Sequence, residues 1–171
     1  MGLHTTYETL ALRWAALCND PGLQDLPYKV ELNANGTMEM SPTSTRHARL
    51  QFAVGYALAQ QLPLGTVLTE CPIATVEGVR VPGVAWATPE FVARHGDATP
   101  LPQAPEICVE VRSPSNTDDE MAMKTRAYLA AGAVEVWIVS DLSEMVVHDA
   151  NGPRAASRFD VNLLADPKSL S

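Results

Sequence analysis

Cysteine is scarce and unpaired in this 171-residue chain. Cys18, Cys71 and Cys108 are odd in number and far apart, and no Cys-x-x-Cys spacing occurs. That excludes a disulfide framework, a zinc ribbon and dithiol redox chemistry, and leaves three reduced, buried, small apolar residues. No stretch approaches the roughly 18 uninterrupted apolar residues of a spanning helix, and the N-terminus lacks the basic, apolar, small-residue order of a secretory signal. A cytoplasmic protein with no membrane partner is expected. The opening Met1-Gly2 with Thr6 matches a myristoylation pattern, a short motif with many chance hits. Positive charge is also in short supply. Twelve Lys plus Arg against twenty Asp plus Glu leave a net charge of −8 and a pI of about 4.9, which excludes non-specific coating of nucleic acid. A focused nucleic-acid site survives, because a few basic residues around a bound cation reverse the local field. The four histidines, His4, His47, His95 and His148, show no His-x-x-x-His spacing, no serine sits in a Gly-x-Ser-x-Gly elbow, and Gly36, Gly65 and Gly78 punctuate turns without forming a phosphate loop.

What remains is the composition of one ordinary globule, 46% hydrophobic and 19% charged. Thr5 with Glu8 forms a capping box ahead of Leu10, Trp14, Ala15 and Leu17 at helical spacing, and Asn19-Asp20-Pro21-Gly22 ends that helix. Tyr28, Val30 and Leu32, then Asn33-Ala34-Asn35-Gly36, then Met38 and Met40, read as a hairpin with Asn-Gly at its tip. Leu50, Ala53, Val54, Ala57, Leu58 and Leu62 predict an amphipathic helix from about Thr45 to Leu62. Val67 to Val76 and Val79 to Trp86 are β-rich runs around Glu77-Gly78, and Thr88-Pro89-Glu90 opens a short helix. Ile107, Val109 and Val111 mark a strand, Thr117 with Glu120 caps a helix to about Ala131, and Val134–Val139 and Met145–His148 are the last clear strands. The helix between two apolar strands is a crossover unit in one sheet. The expected architecture is mixed α/β, a sheet flanked by helices, in a single domain over residues 1–152 that includes the N-terminal helix, followed by a weakly patterned tail over 153–171.

Glu110 carries the most chemical information. It sits mid-strand, opposite in facing to Ile107, Val109 and Val111, where burial of a carboxylate demands compensation. One reading is a strand-end ion pair with Arg112, two residues on and on the same side. The other is a metal ligand at a sheet edge. Ser113-Pro114-Ser115-Asn116 stops strand pairing at once, and the following helix returns Lys124 towards the strand end. Arg46, His47 and Arg49 give one helix start a small positive patch, suited either to a phosphate or to plain solvation.

The run Pro105-Glu106-Ile107-Cys108-Val109-Glu110-Val111, with Ser113-Pro114-Ser115-Asn116, Glu120-Met121, Lys124, Tyr128, Gly132-Ala133 and Glu135-Val136-Trp137, resembles the Uma-type restriction endonucleases of bacteria. Tyr28-Lys29-Val30-Glu31-Leu32-Asn33, Gly36, Met40-Ser41-Pro42, His47, Gln51, Glu70-Cys71 and Gly78-Val79 through Val84-Ala85-Trp86 follow in the same order. The resemblance covers roughly residues 9 to 152. It implies the restriction-endonuclease-like fold of the PD-(D/E)xK superfamily, with Mg2+ or Mn2+ held by carboxylates for phosphodiester hydrolysis of DNA and a lysine acting on the attacking water. On this chain Glu110 matches the (D/E) carboxylate, Lys124 the lysine moved to the following helix, and Arg112 the older strand position, a phosphate clamp rather than a proton acceptor. Glu31 and His47 match positions near the site, with a hairpin surface charge and a helix-surface imidazole as their plain alternatives.

One position departs from the pattern. Where the family carries Pro-Asp before the Val-Ala-Trp-like strand, this chain reads Pro82-Gly83-Val84-Ala85-Trp86. Gly83 has no side chain to ligate metal, and a magnesium site that leans on one or two carboxylates is severely weakened by losing one. Pairing Val76 with Val79 sets Pro72 opposite Gly83 and leaves Glu70 diagonal to the gap as a substitute ligand, unless a bulge turns it away. The expectation is a metal-dependent DNA endonuclease impaired at Gly83, working as a homodimer with one site per strand. The alternative is a catalytically inactive nuclease-fold module that binds nucleic acid or a protein partner.

Overall fold

The computed structural model describes residues 5–164, so the Met1-Gly2 pattern lies outside the described residues. The first helix, α1 (Tyr7–Cys18), is capped by Thr6, whose hydroxyl accepts from the Thr9 amide. The expected cap at Thr5 is one residue early, because Thr6 is the residue held in extended backbone there. Leu10 and Trp14 bury on one side of α1. Strands β1 (Tyr28–Leu32) and β2 (Met38–Pro42) pair antiparallel with Leu32 opposite Met38. Their loop spans five residues, wider than an Asn-Gly tip alone: Asn33 Oδ1 accepts from the Asn35 and Thr37 amides, and Gly36 takes φ +76°. Glycine suits that left-handed turn because it carries no Cβ.

Helix α2 (Thr45–Gln61) starts at Ser44, whose hydroxyl takes the His47 amide, and buries Leu50, Ala53, Val54 and Leu58. The next segment is a single long hairpin bent across two sheets. Its base strands, β3 (Thr66–Thr69) and β6 (Val84–Ala87), pair as Thr69 with Val84. Its outer strands, β4 (Ile73–Thr75) and β5 (Gly78–Arg80), pair as Thr75 with Gly78. The break falls over residues 70–72 and 81–83. Pro72 and Pro82 cannot donate to a ladder, and Glu70 adopts φ +51°. The pairing of Val76 with Val79 expected from sequence is therefore corrected by two positions. In the observed register Glu70 stands directly opposite Gly83, its amide donating to the Gly83 carbonyl at 3.2 Å.

The outer hairpin joins the first one in a four-stranded sheet, β2-β1-β5-β4. After α3 (Pro89–His95), strand β7 (Ile107–Val111) pairs antiparallel with β6 and parallel with β8 (Glu135–Asp141), the two linked by α4 (Asp118–Ala130) as the crossover. Adding β9 (Glu144–Asp149) and β10 (Gly152–Arg154) completes a six-stranded sheet, β10-β9-β8-β7-β6-β3. Alternation along β7 sends Ile107 and Val109 to a core under α2 and Cys108 to a second core under α3 and α4. A third, smaller core lies between α1 and the four-stranded sheet. Residues 153–164 are tied in. Val161 and Leu163 enter the α2-side core, and buried Glu135 accepts from the Trp137 indole, the Ser157 hydroxyl and the Arg158 amide at 2.7–2.8 Å.

Candidate active site

The bend in the long hairpin opens a cleft where the two sheets meet. Lys29 and Glu31 are two apart on β1, so the pleat points both towards it, while Leu32 enters the small core. Glu110 comes from β7, at its junction with β6. Val84 pairs with Val109, so one further step places Gly83 beside Glu110. Helix α4 then lays Lys124 and, one turn on, Tyr128 over the same strand. Among the residues lining the cleft are Lys29, His47, Glu110, Asn116, Glu120 and Lys124.

Both oxygens of Glu110 are occupied. Oε1 accepts from the Tyr128 hydroxyl at 2.7 Å and lies 3.4 Å from Lys124 Nζ, while Oε2 lies 3.6 Å from Lys29 Nζ. Glu31 is occupied too. Its Oε1 accepts from the Val81 amide at 2.7 Å, and its Oε2 lies 2.8 Å from Lys124 Nζ and 3.8 Å from Arg80. Arg80 in turn pairs with Glu39. Three carboxylates and three cations thus neutralise one another, and five of the six residues are nine-tenths or more buried at the side chain. Among the described residues no buried side-chain nitrogen or oxygen lacks a partner.

These contacts set the protonation states. Burial works against ionised Glu110, but Lys29, Lys124 and the Tyr128 hydroxyl outweigh it and hold the carboxyl below its ordinary range. Burial likewise works against the Lys124 ammonium, yet Glu110 and Glu31 raise it above the usual lysine value. Tyr128 is pushed well up, first by burial and then by Glu110, so it stays a phenol that donates. His47 is lowered by burial and by Lys29, against the pull of Glu110, Glu70 and a Gln51 hydrogen bond. Its imidazole is neutral at pH 7.

The structure therefore gathers Glu110, Lys124, Glu31 and His47, and brings Gly83 alongside. It does not gather Arg112. Strand β7 ends at Val111, and Arg112 turns outward to Asp118 (2.6 Å) and the Asn116 carbonyl, lining a separate trough on the other side of α4. The expected Glu110–Arg112 pair is absent because Asp118, in the first turn of α4, lies nearer the strand end. Arg46 is likewise engaged, with the Ser140 carbonyl at 2.7 Å and Asp141 at 3.4 Å. Glu70 is exposed, opposite Gly83 at the bend, and its charge acts on His47. Lys29 and Tyr128 are the partners that sequence reasoning left unassigned. Their spacings, two residues from Glu31 on a strand and four from Lys124 on a helix, were the available clue.

Residues 16–157 match the Uma2 family, described as "putative restriction endonuclease". The chain belongs to the Uma2 family. No curated protein matches it. Among solved structures, a putative nuclease of the DUF820 group from Anabaena variabilis is similar at 15% identity, over 67% of this chain and 68% of that one, with a TM-score of 0.57. That likeness shows the fold, which is restriction-endonuclease-like. Proteins of this fold family generally use divalent metals, and the residues here do not fit one. Gly83 offers no ligand, all four oxygens of Glu110 and Glu31 face ammonium, guanidinium, hydroxyl or amide donors, and among the described residues no three His, Cys, Asp or Glu side chains converge. No helix among the described residues is long and apolar enough to cross a membrane.

Proposed function

We propose that this Uma2 protein is a DNA-endonuclease domain whose metal-dependent phosphodiester hydrolysis is impaired. The observation that carries the reading is the juxtaposition of Gly83, which has no side chain, with a buried carboxylate and ammonium, Glu110 and Lys124. In this reading Glu110 is the remaining ligand position, Lys124 is placed to act on an attacking water, and Glu31 and His47 border the cleft. Arg112 lies beyond the cleft and plays no part in it. The working unit is a homodimer in the cytoplasm, with one cleft per DNA strand. Sedimentation giving only monomer at tens of micromolar opposes the dimer.

A second reading, a nuclease-fold module that binds nucleic acid or a protein without cutting, is favoured by the completeness of the ion-pair network, which leaves Glu110 no open oxygen. Supercoiled plasmid incubated with the wild-type protein and Mg2+ or Mn2+ separates the outcomes. Trace nicking, removed by Glu110→Ala, supports the impaired nuclease. No nicking, with plasmid still retarded in a gel, supports the module, and efficient metal-dependent nicking overturns the impairment.

A further inference from the structure

We infer that the Lys29 ammonium serves as the resident counter-ion of Glu110, taking the electrostatic place of a divalent cation, so that this site is closed to metal by a cation as well as by Gly83. The inference rests on Gly83 being the position of a lost carboxylate, and adds a second barrier that the loss alone does not require.

Lys124 already serves Glu110 from one side, at Oε1, and spends its shortest contact, 2.8 Å, on Glu31. Oε2 is the oxygen left for anything else, and Lys29 Nζ takes it at 3.6 Å. The two side chains are only 9% and 4% exposed, so water does little to screen them. Lys29 and His47 line the same cleft as Glu110 and Lys124. With Glu39 and Arg80 included the ion-pair network sums to zero. Glu120, the other carboxylate lining the cleft, accepts from the Asn116 amide at 3.0 and 3.1 Å. A dication entering beside Glu110 meets two ammonium groups, Lys29 and Lys124. Adding aspartate at Gly83 supplies a ligand but leaves this repulsion in place.

Four proteins test the inference: wild type, Gly83→Asp, Lys29→Gln and the double variant. Mn2+ alone is the probe, its free concentration read by electron paramagnetic resonance at pH 7.5. Glutamine at position 29 keeps a polar head, and Glu110 keeps Tyr128 and Lys124, so the fold is retained; Lys29→Met serves as the second variant, and intrinsic tryptophan fluorescence checks folding. The double variant is expected to bind Mn2+ at least about tenfold more tightly than Gly83→Asp, the scale of removing one unit charge beside a dication. Lys29→Gln alone is expected to bind no better than wild type. Equal affinity of Gly83→Asp and the double variant overturns the counter-ion role and leaves the proposed function standing. No binding by any folded variant overturns both this inference and the reading of Gly83 as a lost ligand position.

Discussion

Replacing Lys124 with methionine removes the charge that bridges the two buried carboxylates while keeping an apolar stem of similar length. At an effective dielectric of about 20, contacts of 2.8 Å and 3.4 Å correspond to about 6 and about 5 kcal/mol of Coulomb attraction before desolvation is counted. Releasing the ammonium from its buried position returns several kcal/mol of that. Glu110 keeps Lys29 and Tyr128, and Glu31 keeps the Val81 amide and Arg80. The net loss should therefore fall near the low end of the 3–5 kcal/mol measured when buried pairs are broken, about 3 kcal/mol. For a domain of this size that lowers Tm by about 6–12 °C. Urea unfolding followed by tryptophan fluorescence reads it directly, since Trp86 and Trp137 lie in the core. Arg46→Ala provides the contrast: both side chains of its pair with Asp141 are more than half exposed, and its loss should stay within about 0.5 kcal/mol. A Lys124→Met loss below about 1 kcal/mol would refute a buried, compensated network.

Acid should destabilise the protein in two stages. His47, held below its ordinary value, withdraws stability as pH falls below about 6.5, and Glu110, also held low, contributes fully above about pH 4.3 and loses that contribution as pH falls further. Glu110→Gln should flatten the second stage of a Tm-against-pH curve and leave the first. On the alkaline side Cys71, pushed up to about 12 by burial, together with Cys108 and Tyr128, should cost stability as pH rises past about 8.5 to 10, where the unfolded chain ionises and the folded one does not. Glu135→Ala leaves the Trp137 indole, the Ser157 hydroxyl and the Arg158 amide without their acceptor, so it should destabilise by about 3 kcal/mol and expose Arg154 and Arg158 to trypsin. Cleavage no faster than wild type would show that the segment is held elsewhere. Gly83→Asp should fold with a Tm within a few degrees of wild type: no left-handed backbone stands in the way, and a new Cβ meets the flexible Gln51 amide at 3.3 Å and the Val109 carbonyl at an ordinary contact distance of 3.7 Å.

Periodicity located the strands, the helices and the crossover, because burial on one face writes itself into sequence at spacings of two or near four. The crossover α4 placed β7 and β8 in one sheet, as parallel partners or as strands separated by a neighbour, and the structure pairs them directly and parallel. What sequence could not reveal was the bend that sends one hairpin into two sheets. Pro72 and Pro82 hint at interrupted pairing, but the left-handed turn at Glu70 is a tertiary choice with no local marker in a glutamate. The same holds within the site. Resemblance singled out Glu110 and Lys124, and helical spacing brought them together, at 3.4 Å. Lys29 reaches the site only through the packing of β1 against β5 beside the cleft, a tertiary contact that strand spacing does not record. Arg112 obeyed strand alternation only as far as the strand ran, and Val111 was its end.

The central claim is that hydrolysis in this site is disabled first by the missing carboxylate at Gly83, and plasmid nicking by Gly83→Asp tests it most directly. With Mn2+ or Mg2+ and supercoiled DNA, the folded variant should nick slowly where wild type gives at most a trace, nick faster once Lys29→Gln is added, and lose all activity when Glu110→Gln is introduced. Folded Gly83→Asp that fails to nick DNA in either background, or whose nicking survives Glu110→Gln, would contradict the account.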